Sequence, residues 1–256
     1  MRRRFSISDY LPVPAARILT VAIILVVWEI TGRMADPLFF APPSRCLTAA
    51  AEIFGDPKLQ WALWLTLVEL VTGFALSVVF GVLIGTAIGA RATSYRSFFP
   101  IVMFLYAIPQ VTVLPLFVLY FGPGAASKIA FGFSHGIFPV IITVVGALRG
   151  LDQTLLRSAY SMGASRMQVF RRITLPFIVP ALFTGMRLGM TATLLGVLIG
   201  ELYVSSGGIG MFTRLYTDSL RPDRLFALTA VLALMAIVIN ETLRRAETNV
   251  SHWRNA

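Results

Sequence analysis

The sequence predicts an all-α membrane protein of about six transmembrane helices, and three observations carry that prediction. Of 256 residues, 57% are apolar and only 13% charged, with a mean hydropathy of +0.78; a soluble domain averages about 45–50% apolar and roughly 25% charged. A soluble fold of this length would lack the polar surface to cover itself, which excludes an ordinary cytosolic enzyme, a disordered protein and a disulfide scaffold. Six apolar stretches approach or exceed the roughly 20 residues that cross a hydrocarbon core of about 30 Å at a rise of about 1.5 Å each. Finally, the 22 Lys and Arg against 12 Asp and Glu sit in short blocks between those stretches. A nucleic-acid protein gathers its charge in one patch; blocks between apolar runs suit loops that face anionic lipid and cytoplasm.

The first span is Ala15 to Met34, preceded by Arg2, Arg3 and Arg4. A cleaved signal peptide is the alternative, but the apolar run begins some residues after the arginines and no small-x-small cleavage site follows. The loop from Asp36 to Trp61 carries Pro37, Pro42 and Pro43, then Leu47–Phe54, and reads as an extended entry into a short amphipathic helix on the outer surface. Spans follow at Ala62 to Ala90, Phe98 to Gly122, Ile129 to Leu148, Phe177 to Tyr203 and Leu225 to Thr242. The third and fourth are the cleanest, because no charge interrupts Ser97–Ser127 or Ile129–Leu148. The sixth is short, so its flanking arginines would snorkel to the interface. With the N-terminus inside, 14 basic residues fall on the inner side, 7 on the outer side, and one, Arg187, within a span. Both termini are therefore expected in the cytoplasm, and residues 1–256 form a single transmembrane domain.

Chemical machinery is absent from the sequence. No G-x-x-x-x-G-K-[ST] occurs, so the chain has no Walker phosphate loop. His135 and His252 have no second ligand at metal spacing, and no Ser/His/Asp arrangement is present. A lone Cys46 permits no internal disulfide.

Polar residues inside spans cost about 2.5–3.5 kcal/mol each at mid-helix and therefore need partners or water. Glu29, Glu69, Arg187 and Glu201 stand out. Glu29 lies beside Trp28 near the outer interface and reads as an anchor, while Glu201 is also close to that interface. Arg187 has two readings: a structural partner for Glu69 or for broken backbone in span three, or a positive charge offered to an anion in transit. His135 is either bonded to a neighbouring helix or pore-lining. Pro109 and Pro115 break span three, and a broken span is tolerated only when buried or beside a cavity. Gly81-x-x-x-Gly85-x-x-x-Gly89, Gly185-x-x-x-Gly189 and Gly196-x-x-x-Gly200 each line one helix face for close packing, within the chain or against a second copy.

The loop from Gly150 to Pro176 is too long for a simple turn. Leu155, Leu156, Ala159, Met162 and then Met167, Val169, Phe170 and Ile173 are spaced as two short amphipathic helices separated by Gly163. Arg157, Arg166, Arg171 and Arg172 cover the polar faces. Such a pair either docks on a partner or lies on anionic lipid. Arg157-Ser158-Ala159-x3-Gly163-x9-Ile173-x-Leu175-Pro176 resembles the E-A-A-x3-G-x9-I-x-L-P loop of permease subunits of bacterial ABC importers. Arg157 stands where that family prefers Glu, and Ser158 where it prefers Ala. Pro42-Pro43-Ser44, Ile108-Pro109, Leu114-Pro115-Leu116, Phe121-Gly122, Gly185-x-Arg187-Leu188 and Glu201 followed by Gly208-Ile209-Gly210 resemble the nitrate/sulfonate/taurine-type branch.

The resemblance implies a type I permease core of five helices preceded by one N-terminal helix, in the bacterial inner membrane. It also implies two ATP-binding subunits per complex that hold ATP and Mg and dock on the loop, an extracytoplasmic solute-binding protein, and a second permease copy, as a homodimer. The chain itself would be no enzyme and carry no cofactor. A small oxyanion or organosulfonate is the expected solute, with a thiamine-precursor pyrimidine or riboflavin-like heterocycle as alternative. Rivals of another class are an ion-coupled secondary transporter using Glu69, Arg187 and Glu201 as a relay, and a membrane enzyme or scaffold.

Overall fold

The computed structural model describes residues 13–204 and 207–251. Arg2, Arg3, Arg4, His252 and Arg254, which enter the orientation reading, lie outside them. Among the described residues every long element is a helix: α1 (Val13–Met34), α2 (Pro43–Gly55), α3 (Pro57–Gly89), α4 (Ala92–Ala107), α5 (Leu114–Phe121), α6 (Ala125–Arg149), α7 (Gln153–Ser161), α8 (Arg166–Val169), α9 (Leu175–Val204), α10 (Ile209–Asp218) and α11 (Pro222–Ser251). Five helices among the described residues are long and apolar enough to cross a membrane, six if a bent pair counts as one span. The chain divides into two compact units, residues up to 60 with 213–231, and residues 61–212 with 232 onward.

In the first unit α1 leaves most of its apolar side chains uncovered, as a helix facing lipid does. Its C-terminal end is tied by polar groups. Glu29 accepts hydrogen bonds from the backbone N–H and hydroxyl of Ser44 (3.0 and 2.7 Å) and from Arg33 (2.7 Å). A carboxylate from α1 thus caps the first turn of α2, whose own flanking Pro42 has no side chain to do so. The Trp28 indole donates to the Ala41 carbonyl at 3.1 Å, and Phe226 packs edge-on against both Trp28 and Phe40. The expected amphipathic surface helix is α2, which buries Cys46, Ala49 and Ile53.

The second unit is built on α3, α6 and α9, whose backbones meet at glycines. A Cβ at Gly81, Gly85 or Gly89 would come within 2.7–2.9 Å of Val140, Val144 or Leu148 on α6. On the other side of α6, a Cβ at Gly185 would come within 2.9 Å of Thr143, and one at Gly189 within 2.8 Å of Val140. These glycines therefore serve packing inside the chain. Gly132 and Gly136, not singled out in the sequence, complete the α6–α9 seam against Thr193 and Val197; their four-residue spacing was the available signal.

The third span departs from expectation. It is broken, as its prolines predict, but at one point rather than two: α4 leads through a 3₁₀ turn at Gln110–Val113 into α5, with the axes turned by 84°. Pro109 explains the break: it forces Ile108 into extended backbone (φ −66°, ψ 130°) and offers no N–H to continue the helix. Pro115 is not a second break, because it occupies the first turn of α5, where a missing N–H costs nothing. Span five differs too. α8 does not stop at Pro176 but continues through a wider π turn (Phe170–Thr174) into α9, giving one helical run from Arg166 to Val204. Pro176 cannot donate to the carbonyl four residues back, and the wide turn falls there, with the Leu175 N–H bonding five residues back to Phe170.

Candidate functional site

Two assemblies in the second unit carry the expected functional residues. The first lies between α6 and α9. Asp152 caps α7 by accepting the Thr154 N–H at 2.7 Å. Gly163 ends α7 with φ +82°. The Ala164 N–H reaches the Ala159 carbonyl and the Gly163 N–H the Tyr160 carbonyl (3.1 and 2.9 Å), a Schellman closure that needs a residue free to take positive φ. Ser165 and Gln168 then exchange hydrogen bonds as a capping box that starts α8. Ala159 and Val169 turn inward and are buried. Arg157, Ser158 and Gly163 are exposed, Ile173 and Pro176 half-buried, and Leu175 40% exposed. Leu155, Tyr160, Met162 and Met167 are left uncovered on the same short helices, Met162 by 82%. The loop is therefore locally rigid and presents apolar side chains beside arginines.

The second assembly is sealed. Lys128 and Glu69 form an ion pair at 2.5 Å, with side chains 4% and 0% exposed. Glu201, fully buried, faces Glu69 and accepts from the Thr66 hydroxyl (2.6 Å) and the Gly210 N–H (2.8 Å). Thr66 in turn accepts the Ile209 N–H at 3.0 Å. Gly208 has φ +93°, and a Cβ there would collide with the Glu201 carboxylate. The Gly208-Ile209-Gly210 sequence is thus a backbone wrap around one buried carboxylate. Lys128 went unrecognised in the sequence because it opens span four and reads as a loop cation; two buried glutamates in need of a counter-charge were the signal.

Arg187 does not pair with Glu69. It bonds Glu247 of α11 at 3.5 Å. Glu201, on the same helix as Arg187, reaches the level of Thr66 and Glu69. Arg187 is fourteen residues back, about 21 Å along the axis, too far for any side chain to span. His135 does not bond a neighbouring helix either. Its Nδ1 lies 3.0 Å from the Phe131 carbonyl of its own helix, and the ring stacks edge-on to Phe131 and against Gly196. Among the described residues, no group of three His, Cys, Asp or Glu could hold a metal ion.

Membrane-length helices, one pair of them bent, joined by a capped helical hairpin are the architecture of a multi-span membrane protein. The chain belongs to the family of binding-protein-dependent transport system inner membrane components, which matches residues 77–250. It is 30% identical over 241 residues to the taurine transport system permease protein TauC of Escherichia coli K12, covering 91% of this chain and 88% of that one. It is 26% identical over 231 residues to the formylaminopyrimidine transport permease protein ThiX of Halalkalibacterium halodurans, covering 90% and 92%. Its fold resembles a chain of the inward-facing MetNI methionine ABC transporter, with a TM-score of 0.65 at 20% identity over 73% of this chain and 93% of that one. The expected membership among ABC importer permeases of the taurine/sulfonate-type branch is thus established, as is a multi-pass inner-membrane protein. The ion-coupled relay loses its footing with it.

Proposed function

We propose that this chain, with a second copy of itself, forms the pathway of an ATP-driven importer of a small oxyanion or organosulfonate. An extracytoplasmic binding protein delivers the solute, and two ATP-binding subunits, which hold ATP and Mg, dock on the α7–α8 hairpin. The observation that carries the reading is that hairpin: apolar side chains exposed on a capped loop between two closely packed helices form a surface suited to a docking protein. The hairpin's continuity with α9 gives a push on it a direct route into the membrane. Similarity to TauC supports the sulfonate solute; similarity to ThiX supports a pyrimidine heterocycle on the same machinery, and the ligand of the accompanying binding protein decides between them.

The test is co-purification of the tagged chain from its host beside a Gly163→Pro variant, since proline cannot adopt φ +82°. An ATP-binding subunit in equal ratio with the wild type and lost from the variant is expected. A chain that purifies alone and transports without ATP overturns the reading.

A further inference from the structure

A recess of about 600 Å³ opens between α9 and α11, lined by Thr184, Arg187, Thr191, Asn240, Glu241 and Arg244. It shares Leu188 and Thr191 with a second hollow of about 590 Å³, lined by Tyr106, Ile142, Leu195 and Leu198. One end of the combined groove is ionic and the other aliphatic and aromatic. Arg187 lies twelve residues into α9, about 18 Å along its axis, yet its side chain stays 34% exposed. A guanidinium left open on the wall of a groove takes water or a polar ligand on its open side rather than hydrocarbon.

The charges within it are unevenly satisfied. Glu241 is held by Arg244 (2.7 and 2.8 Å) and Arg245 (3.0 Å). The Arg187–Glu247 contact, at 3.5 Å between two partly exposed side chains, is longer than the roughly 2.7–2.9 Å of a well-formed charge-assisted hydrogen bond. Three arginines against two glutamates leave one positive charge in excess. Asn240 carries a buried amide oxygen with no hydrogen-bond partner. Thr184 and Thr191 spend their hydroxyl protons on carbonyls of their own helix, which leaves Arg187 as the donor most open to exchange.

We propose that this groove binds an anion with an apolar body, its acid group displacing Glu247 from Arg187 and its body lying along Leu188 and Leu195. Such chemistry belongs both to an alkanesulfonate in transit and to an anionic lipid of the inner leaflet. Only the first source rests on the importer reading above.

The test uses the full chain with its accompanying subunits in nanodiscs of phosphatidylcholine, with hexanesulfonate as the probe and hexanol as the uncharged control. Saturable hexanesulfonate binding is expected, weakened at least tenfold by Arg187→Gln and tightened several-fold by Glu247→Gln, which removes the competing carboxylate from a partly exposed position. Leu195→Trp should weaken hexanesulfonate more than methanesulfonate. A second arm replaces part of the lipid with phosphatidylglycerol. Phosphatidylglycerol that is retained by the wild type, lost from Arg187→Gln and able to block hexanesulfonate identifies the lipid as the occupant of the same site. Absence of both ligands, or binding indifferent to Arg187→Gln and Glu247→Gln, overturns the proposal. The Gly163→Pro experiment reads the importer assignment separately, so either can fail while the other stands.

Discussion

Replacing Lys128 with alanine removes the ammonium that faces Glu69 at 2.5 Å and leaves that carboxylate buried without its counter-charge. Breaking a buried pair in this way costs about 3–5 kcal/mol, and the expected outcome is a large fall in the thermal unfolding midpoint in detergent and in membrane yield. The exchange Glu69→Lys with Lys128→Glu should recover part of the loss. The corresponding exchange of Glu69 with Arg187 should recover none, because Arg187 pairs with Glu247. Gly208→Ala acts on the same cluster from the loop. Positive φ alone costs a side-chain residue about 1–3 kcal/mol, and the added methyl meets the Glu201 carboxylate, so this variant should unfold earlier than Glu201→Gln, which keeps the shape of the acceptor.

At the scale of elements, the glycines separate into those that set helix spacing and those that do not. Gly136→Leu should force α6 and α9 apart, since its Cβ would already meet Thr193 and Ser77; loss of folded protein on size-exclusion chromatography is the expected reading. Gly146→Ala, on the same helix with nothing within 4 Å, should be neutral or slightly stabilising, by up to about 1 kcal/mol from helix propensity. The two prolines of the bent span divide likewise. Pro115→Ala falls in the first turn of α5 and should change the unfolding midpoint little. Pro109→Ala removes the constraint that holds Ile108 extended and should let α4 lengthen, read as altered cysteine accessibility across residues 108–113.

For the whole molecule, sidedness is the open quantity, and labelling reads it. A membrane-impermeant maleimide applied to intact cells should modify Leu47→Cys, on α2, and spare Met162→Cys until the membrane is permeabilised. Both positions are well exposed. Native Cys46 stays silent because it is 8% exposed and burial pushes its thiol up. Once the membrane is open, Met162→Cys should lose its reactivity when the ATP-binding subunit is present. Protection absent in the assembled complex would place the docking surface elsewhere.

Composition and apolar run lengths were enough to determine a helical membrane protein and nearly all its spans, because the cost of exposing polar backbone to lipid leaves few alternatives. The hairpin was legible as well, since the Gly163 break and the amphipathic spacing on either side are local features. What depended on distance in the fold was not. Arg187 and Glu69 are both intramembrane charges, and nothing in the order of residues says that they sit four helical turns apart, that Lys128 supplies the counter-charge, or that Glu29 reaches Ser44. Nor could the paired prolines of span three declare which one bends the chain, for a proline breaks or begins a helix according to where the helix starts. The grouping of Glu69, Lys128 and Glu201 was decided by glycine seams that fix how α3, α6 and α9 slide against one another, and only the tertiary structure sets that register.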